Sequence, residues 1–198
     1  MTQILLATRN PKKLDELRRI LAPKVDVEVL GLADVVQFEE APETGATFAD
    51  NALLKANEAA KYTGMIAVAD DSGLAVDALN GMPGVLSARW AGTAKDDDAN
   101  VQLVLEQLAD TPDERLSASF ICAAALVTPT GTSIVREGRM PGRLIRERRG
   151  TNGFGYDPIF VPEGYEVTSA ELESAEKDAI SHRGKALRAL LPHILEAL

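Results

Sequence analysis

The sequence predicts an α/β protein built on a mixed β-sheet flanked by helices. Strand and helix patterns alternate over the first half of the chain and hairpin signals dominate the second, which argues against a purely parallel sheet. The 198 residues allow one large domain or two smaller lobes sharing a sheet. With 45% hydrophobic and 26% charged residues, the composition is that of a soluble globular protein rather than a fibrous or disordered one.

Each element has its own signal. Residues 3–7 read as a first strand. Asn10 is a good N-cap and Pro11 a favoured first helical residue. Leu14, Leu17 and Leu21 then recur at helical spacing until Pro23. Val25, Val27 and Val29 alternate as a half-exposed strand, and residues 31–44 form a polar, acidic loop. In the second helix, residues 47–63, Thr47 and Asp50 resemble a capping box and Gly64 supplies the C-terminal stop. The run Met65-Ile66-Ala67-Val68-Ala69 reads as a strand buried on both faces, ending in a turn at Asp70-Asp71-Ser72-Gly73 and followed by a short strand at 74–76. Asp96, Asp97 and Asp98 load acid onto the start of a helix carrying Val101, Val104, Leu105 and Leu108, as the helix dipole favours. Residues 116–127 form a long strand that turns back through Pro129-Thr130-Gly131 into 132–135, with further short strands at 144–145 and 159–161. The last helix opens at Ser181 and carries Pro192, which should kink it.

Composition also narrows the partners. A net charge of −9 disfavours sequence-independent nucleic-acid binding, which depends on neutralising phosphates. The longest apolar run, residues 120–127, is far short of the ~18 residues a membrane span needs. Met1-Thr2-Gln3 offers no basic region of a signal peptide, so a cytoplasmic protein is expected. Cys122 is the sole cysteine and reads as an inert buried residue.

The residues that carry chemistry start with Asp70 and Asp71. Adjacent carboxylates repel unless a cation or proton lies between them. At the carboxyl end of a buried strand they stand where open α/β sheets bind ligands. Mg²⁺ takes one or two carboxylates plus substrate phosphates, so the pair points to metal-assisted phosphate chemistry; a solvated turn is the other reading. Thr8, Asn10 and Lys13 lie at a strand-to-helix junction, an anion site if the helix N-terminus is open to ligand, without the GxxxxGK[ST] phosphate loop. Glu43 could join the Asp70/Asp71 site, whereas Glu39 and Glu40 read as solvated. Asn51 and Lys55 share a helix face that meets either this site or solvent. Arg146, Arg148 and Arg149 precede Gly153-Phe154-Gly155-Tyr156-Asp157-Pro158, and a loop aromatic beside cations suits stacking on a nucleobase. His182 and Arg183 could form a donor pair for the O6/N7 edge of a 6-oxopurine, with Lys177 as a further donor. Trp90 reads as core or subunit interface.

In order along nearly the whole chain, these segments resemble the noncanonical purine nucleoside triphosphate pyrophosphatases, also called inosine/xanthosine triphosphate pyrophosphatases. The matching blocks are Thr8-Arg9-Asn10-Pro11-Lys12-Lys13, Glu43-Thr44-Gly45 with Thr47-Phe48 and Asn51-Ala52, and Ala69-Asp70-Asp71-Ser72-Gly73-Leu74. Pro83-Gly84-Val85 with Ser87-Ala88-Arg89, Gly153-Phe154-Gly155-Tyr156-Asp157-Pro158 and Ser181-His182-Arg183-Gly184 complete the set. Trp90 stands where tyrosine is more usual and Arg9 where glycine is common.

The resemblance implies an elongated mixed sheet with two lobes, a cleft between them, and a homodimer. It implies Mg²⁺-dependent cleavage of ITP, dITP and XTP between the α and β phosphates, giving monophosphate and pyrophosphate. It makes Asp71 the base and places Glu43 with Asp71 at the metal. Thr8, Arg9, Asn10, Pro11, Lys12, Lys13 and Ser72 would hold the triphosphate. Phe154, Gly155, Tyr156, Asp157, Lys177, His182 and Arg183 would hold the nucleoside end. Guanine shares O6 and N7 with hypoxanthine, so its rejection must come from the exocyclic amino group. A nucleotidyl or phosphoryl transferase, or a non-catalytic nucleotide sensor, could use the same residues; the reaction products separate the three.

Overall fold

Capping chemistry sets the first helix. In the computed structural model, which describes residues 2–39 and 42–198, the Asn10 side chain accepts from Lys12 N and Pro11 opens helix α1 (Pro11–Leu21). Helix α2 (Phe48–Thr63) starts on the expected capping box, Thr47 bonding to Asp50 N and Asp50 back to Thr47 N. It stops at Gly64, which takes the left-handed conformation (φ 68°) that glycine adopts without Cβ strain. The remaining elements are β1 (Thr2–Leu6), β2 (Val27–Leu30), β3 (Ala67–Val76), α3 (Asp97–Gln107), β4 (Ser117–Val127), β5 (Ser133–Leu144), β6 (Phe160–Pro162), α4 (Ser174–Ile180) and α5 (His182–Ala197). Glu40 lies outside the described residues.

The strands form one six-stranded sheet in the order β2-β1-β3-β4-β5-β6. β1 pairs in parallel with β2 and β3, and β5 pairs antiparallel with β6, so the sheet is mixed. No helix among the described residues is long and apolar enough to cross a membrane.

Contacts divide the chain into two compact units. The first comprises Met1–Asp71, Cys122–Gly138 and Arg183–Leu198. Its core joins Ile4 and Leu6 of β1 to Leu17 and Leu21 of α1, Val68 of β3, Cys122 and Leu126 of β4, and Leu187, Leu190 and Ile194 of α5. The second comprises Ser72–Ile121 and Arg139–His182. Its core joins Leu74 and Val76 to Val101, Val104 and Leu108 of α3, Phe120 of β4, Met140 and Leu144 of β5, and Ile159 and Phe160. Trp90 packs against this second core and donates from Nε1 to Gln107 (2.9 Å). Cys122 is buried and unpaired, as expected of an inert core thiol.

Three elements differ from expectation. Asp70-Asp71-Ser72-Gly73 is not a turn: β3 runs unbroken through it from Ala67 to Val76. Turn-forming residue types are overridden here by tertiary contacts. Ser87 Oγ accepts from Leu74 N at 2.9 Å, and a Cβ on Gly73 would lie 2.3 Å from that oxygen. β5 extends to Leu144 and absorbs the short strand expected at 144–145. Gly138, Pro141 and Gly142 hide it in the sequence, yet Gly142 is needed where it stands, since a Cβ there would meet the Val161 carbonyl oxygen at 2.3 Å. Helix α4 has too few apolar residues to show a period in the sequence; its seven residues end at Ile180.

Candidate active site

β3 carries Asp70 and Asp71 just past its parallel pairing with β1, which ends at Leu6↔Val68. Successive strand residues point to opposite faces. Each carboxylate therefore has its own hydrogen-bond partners, although the Lys55 ammonium acts on both. Asp70 Oδ2 accepts from Lys13 Nζ of α1 (2.8 Å) and from Arg183 Nε of α5 (3.1 Å). Asp71 Oδ2 accepts from Asn51 Nδ2 (2.9 Å), and its Oδ1 lies 3.5 Å from Lys55 Nζ.

Electrostatics separate the pair further. Burial alone would raise the Asp70 carboxyl, but the Lys13 ammonium and Arg183 guanidinium outweigh it and hold Asp70 well below the usual carboxylate range. Burial raises Asp71, and Lys55 and Asn51 only partly offset it, so Asp71 is a stronger proton acceptor than a free aspartate. Burial works against the charge on Lys55, yet Asp71, Asp70 and Glu43 together raise its pKa.

Glu43 reaches this place through α2. Lys55 Nζ donates to Glu43 Oε1 at 2.9 Å, so Glu43 and Asp71 converge on one ammonium group. The loop is tied down by Asn51, whose Oδ1 accepts from Gly45 N (2.7 Å) while its amide donates to Asp71. A Cβ on Gly45 would lie 2.6 Å from Asn51 Oδ1, which explains glycine after Glu43-Thr44. Asn51 and Lys55 thus face the carboxylate site rather than solvent. Their spacing on one helix face is the only signal of this in the sequence.

Of the triphosphate candidates, Asn10 and Lys13 are engaged as caps and partners. Thr8 Oγ1 accepts from Asn10 N (3.2 Å), Arg9 reaches Gln37 (3.3 Å), and Lys12 is exposed on α1. Ser72 is half-buried on β3.

The nucleoside candidates cluster in the second unit. Phe154 is exposed, and Lys177 Nζ lies 5.8 Å from its ring centroid. Asp157 is buried, pairs with Lys177 and accepts from Phe154 N (2.9 Å). Gly153 has no room for a side chain, since a Cβ would lie 2.1 Å from Asp157 Oδ2. Gly155 N donates to Asp97 Oδ2 (2.9 Å), and the Tyr156 hydroxyl donates to the Ser87 carbonyl (2.8 Å).

The cations of the second half have protein partners of their own. His182 stacks on Phe120 (centroids 5.0 Å apart), while Arg183 bonds to Asp70 and to Glu16 Oε2 (3.4 Å). Neighbouring helical residues point about 100° apart, which separates them. The arginines before Phe154 also bond within the protein. Arg146 binds Asp113 (3.1 Å) and the carbonyls of Leu108 (3.3 Å) and Thr111 (2.6 Å), supplying donors that the end of α3 lacks. Arg148 pairs with Asp98, and Arg149 donates to the Glu166 carbonyl (3.2 Å). The cation beside Phe154 is Lys177.

Among the described residues, no group of three or more His, Cys, Asp and Glu side chains is arranged to hold a metal alone. Glu43 and Asp71 nevertheless converge on the Lys55 ammonium, a pair of hard oxygen donors that suits Mg²⁺ when substrate phosphates complete the shell.

A mixed-sheet α/β fold with a carboxylate site held by Lys13, Lys55 and Arg183 defines the class. Residues 4–193 match the Ham1 family, and the chain belongs to that family. The dITP/XTP pyrophosphatase of Mycobacteroides abscessus is 62% identical over 192 residues, covering 96% of this chain and 93% of the relative. That of Nocardia farcinica is 61% identical, covering 97% and 94%. The solved structure of a HAM1 protein from Coxiella burnetii matches with a TM-score of 0.89 at 44% identity over 100% of both chains.

Proposed function

We propose that this chain hydrolyses the purine nucleoside triphosphates ITP, dITP and XTP to the monophosphate and pyrophosphate, clearing them from the nucleotide pool. The observation that carries the reading is the convergence of Glu43 and Asp71 on one cation, with Lys13 paired to the adjacent Asp70. The dITP/XTP pyrophosphatases named above, alike over almost their whole length, support the substrate class.

Glu43 and Asp71 would hold Mg²⁺, which supplies charge neutralisation on the phosphates and acidifies water. Asp71, oriented by Asn51, takes the proton from the attacking water. Thr8, Arg9, Asn10, Pro11, Lys12, Lys13 and Ser72 bind the triphosphate. Phe154 stacks on the purine, and Gly155, Tyr156, Asp157, Lys177, His182 and Arg183 complete the nucleoside end. We further propose a cytoplasmic homodimer, where such nucleotides arise.

A pyrophosphate-release assay across ITP, XTP, GTP and ATP, with Mg²⁺ and with EDTA, tests the reading. Release from ITP and XTP with Mg²⁺ alone is expected. An acceptor adduct would make the protein a transferase, tight binding without turnover a sensor, and equal rates on GTP and XTP would remove the proposed selectivity. Light scattering on the eluted protein tests the dimer.

A further inference from the structure

Behind Lys13 lies a line of charged side chains, two of which, Glu16 and Asp70, have no role in the proposed chemistry. Glu16 sits one turn after Lys13 on α1 and is 6% exposed. Its Oε2 lies 3.4 Å from Arg183 NH1, whose Nε in turn donates to Asp70 Oδ2 (3.1 Å), and that same oxygen accepts from Lys13 Nζ (2.8 Å). The side chains of Glu16, Arg183 and Asp70 are 8%, 8% and 3% exposed, while Lys13 is 18% exposed. Two carboxylates and two cations thus balance, and of the four the Lys13 ammonium is the most open to solvent. A buried charge left without its partner is costly, so each member constrains the next.

We propose that Asp70 and Glu16 are positioning residues. Asp70 aims the Lys13 ammonium at the triphosphate, and Glu16 fixes the Arg183 guanidinium that holds Asp70 from the other side. Asp70 is then neither base nor metal ligand, although it adjoins Asp71 in the chain. Its oxygen is engaged by two cations, whereas the Asp71 carboxylate faces Lys55 and Glu43. The inference rests on the proposed triphosphate reading.

The test is a double-mutant cycle read by calorimetry, with the α,β-methylene analogue of ITP as the probe, in Mg²⁺ and in EDTA. Lys13→Ala and Asp70→Asn should each weaken binding on the order of 10- to 100-fold, as loss of a charged hydrogen bond does. The double variant should be no more than about 3-fold worse than either single one, since both remove the same contact. Additive losses would overturn the proposal. So would an Asp70→Asn variant whose Mg²⁺ requirement rises 10-fold or more, the mark of a lost ligand. If Asp70→Asn fails to fold, the cycle is run between Lys13→Ala and Glu16→Gln, with the same non-additivity expected and additivity again decisive against it. Because the cycle reads binding, absence of hydrolysis would count against the functional reading and not against this one.

Discussion

Asn51 Nδ2 lies 2.9 Å from Asp71 Oδ2, while Asn51 Oδ1 takes the N–H of Gly45 at 2.7 Å. One fully buried amide therefore orients the candidate base and ties down the loop that carries Glu43. Both of its polar ends are used, so the carboxylate site and the loop cannot shift independently.

Replacing Asp71 with Asn keeps its size and removes its basicity. Turnover of ITP should fall on the order of 10²-fold or more, as for a lost general base. Steady-state pyrophosphate release measures it, and near-normal turnover would remove Asp71 from its role.

Gly45→Ala places a methyl 2.6 Å from Asn51 Oδ1 and 2.6 Å from the Asp50 Cβ. Overpacking of this kind costs about 1–3 kcal/mol. Thermal unfolding should show the loss, and the displaced Asn51 should lower kcat more than it raises KM.

Phe154 is exposed beside Lys177, and the proposed function has it stack on the purine. Stacking contributes about 1–3 kcal/mol per base, so Phe154→Ala should raise KM for ITP by roughly 5- to 150-fold. Affinity for inorganic pyrophosphate, which has no base, should not change.

Arg148 tests whether the arginine run serves the fold or the substrate. Its bonds go to Asp98, a side chain 88% exposed, and an exposed pair contributes about 0–1 kcal/mol. Arg148→Ala should leave ITP hydrolysis within about 3-fold of the parent, consistent with so small a contribution. A drop resembling that of Phe154→Ala would return this arginine to the substrate.

Much of the fold was legible because its signals are local. The caps at Asn10 and Thr47 and the stop at Gly64 involve residues within a turn of one another. Where the signal lay in distant contacts, the sequence misled. The stretch Asp70 to Gly73 reads as a turn until Ser87 is known to bind Leu74 N, and the two ends of β5 read as separate short strands until Gly142 is seen against Val161. The site divides likewise. Glu43, Asp71, Lys177 and Asp157 could be picked out by residue type and motif, but Asn51 and Lys55 could not be told from solvent-facing residues.

Residue chemistry along the chain by itself determined the mixed α/β class, the helix ends, the acidic pair and the aromatic loop, because each depends on neighbours a few positions away. Only the tertiary structure decided which cation serves which carboxylate. Asp70 and Asp71 are adjacent in sequence, yet strand alternation sends them to opposite faces, one toward Lys13 and Arg183 and the other toward Asn51 and Lys55. Electrostatic partnership depends on distance through space, and those partners are brought together only when the helices pack on the sheet.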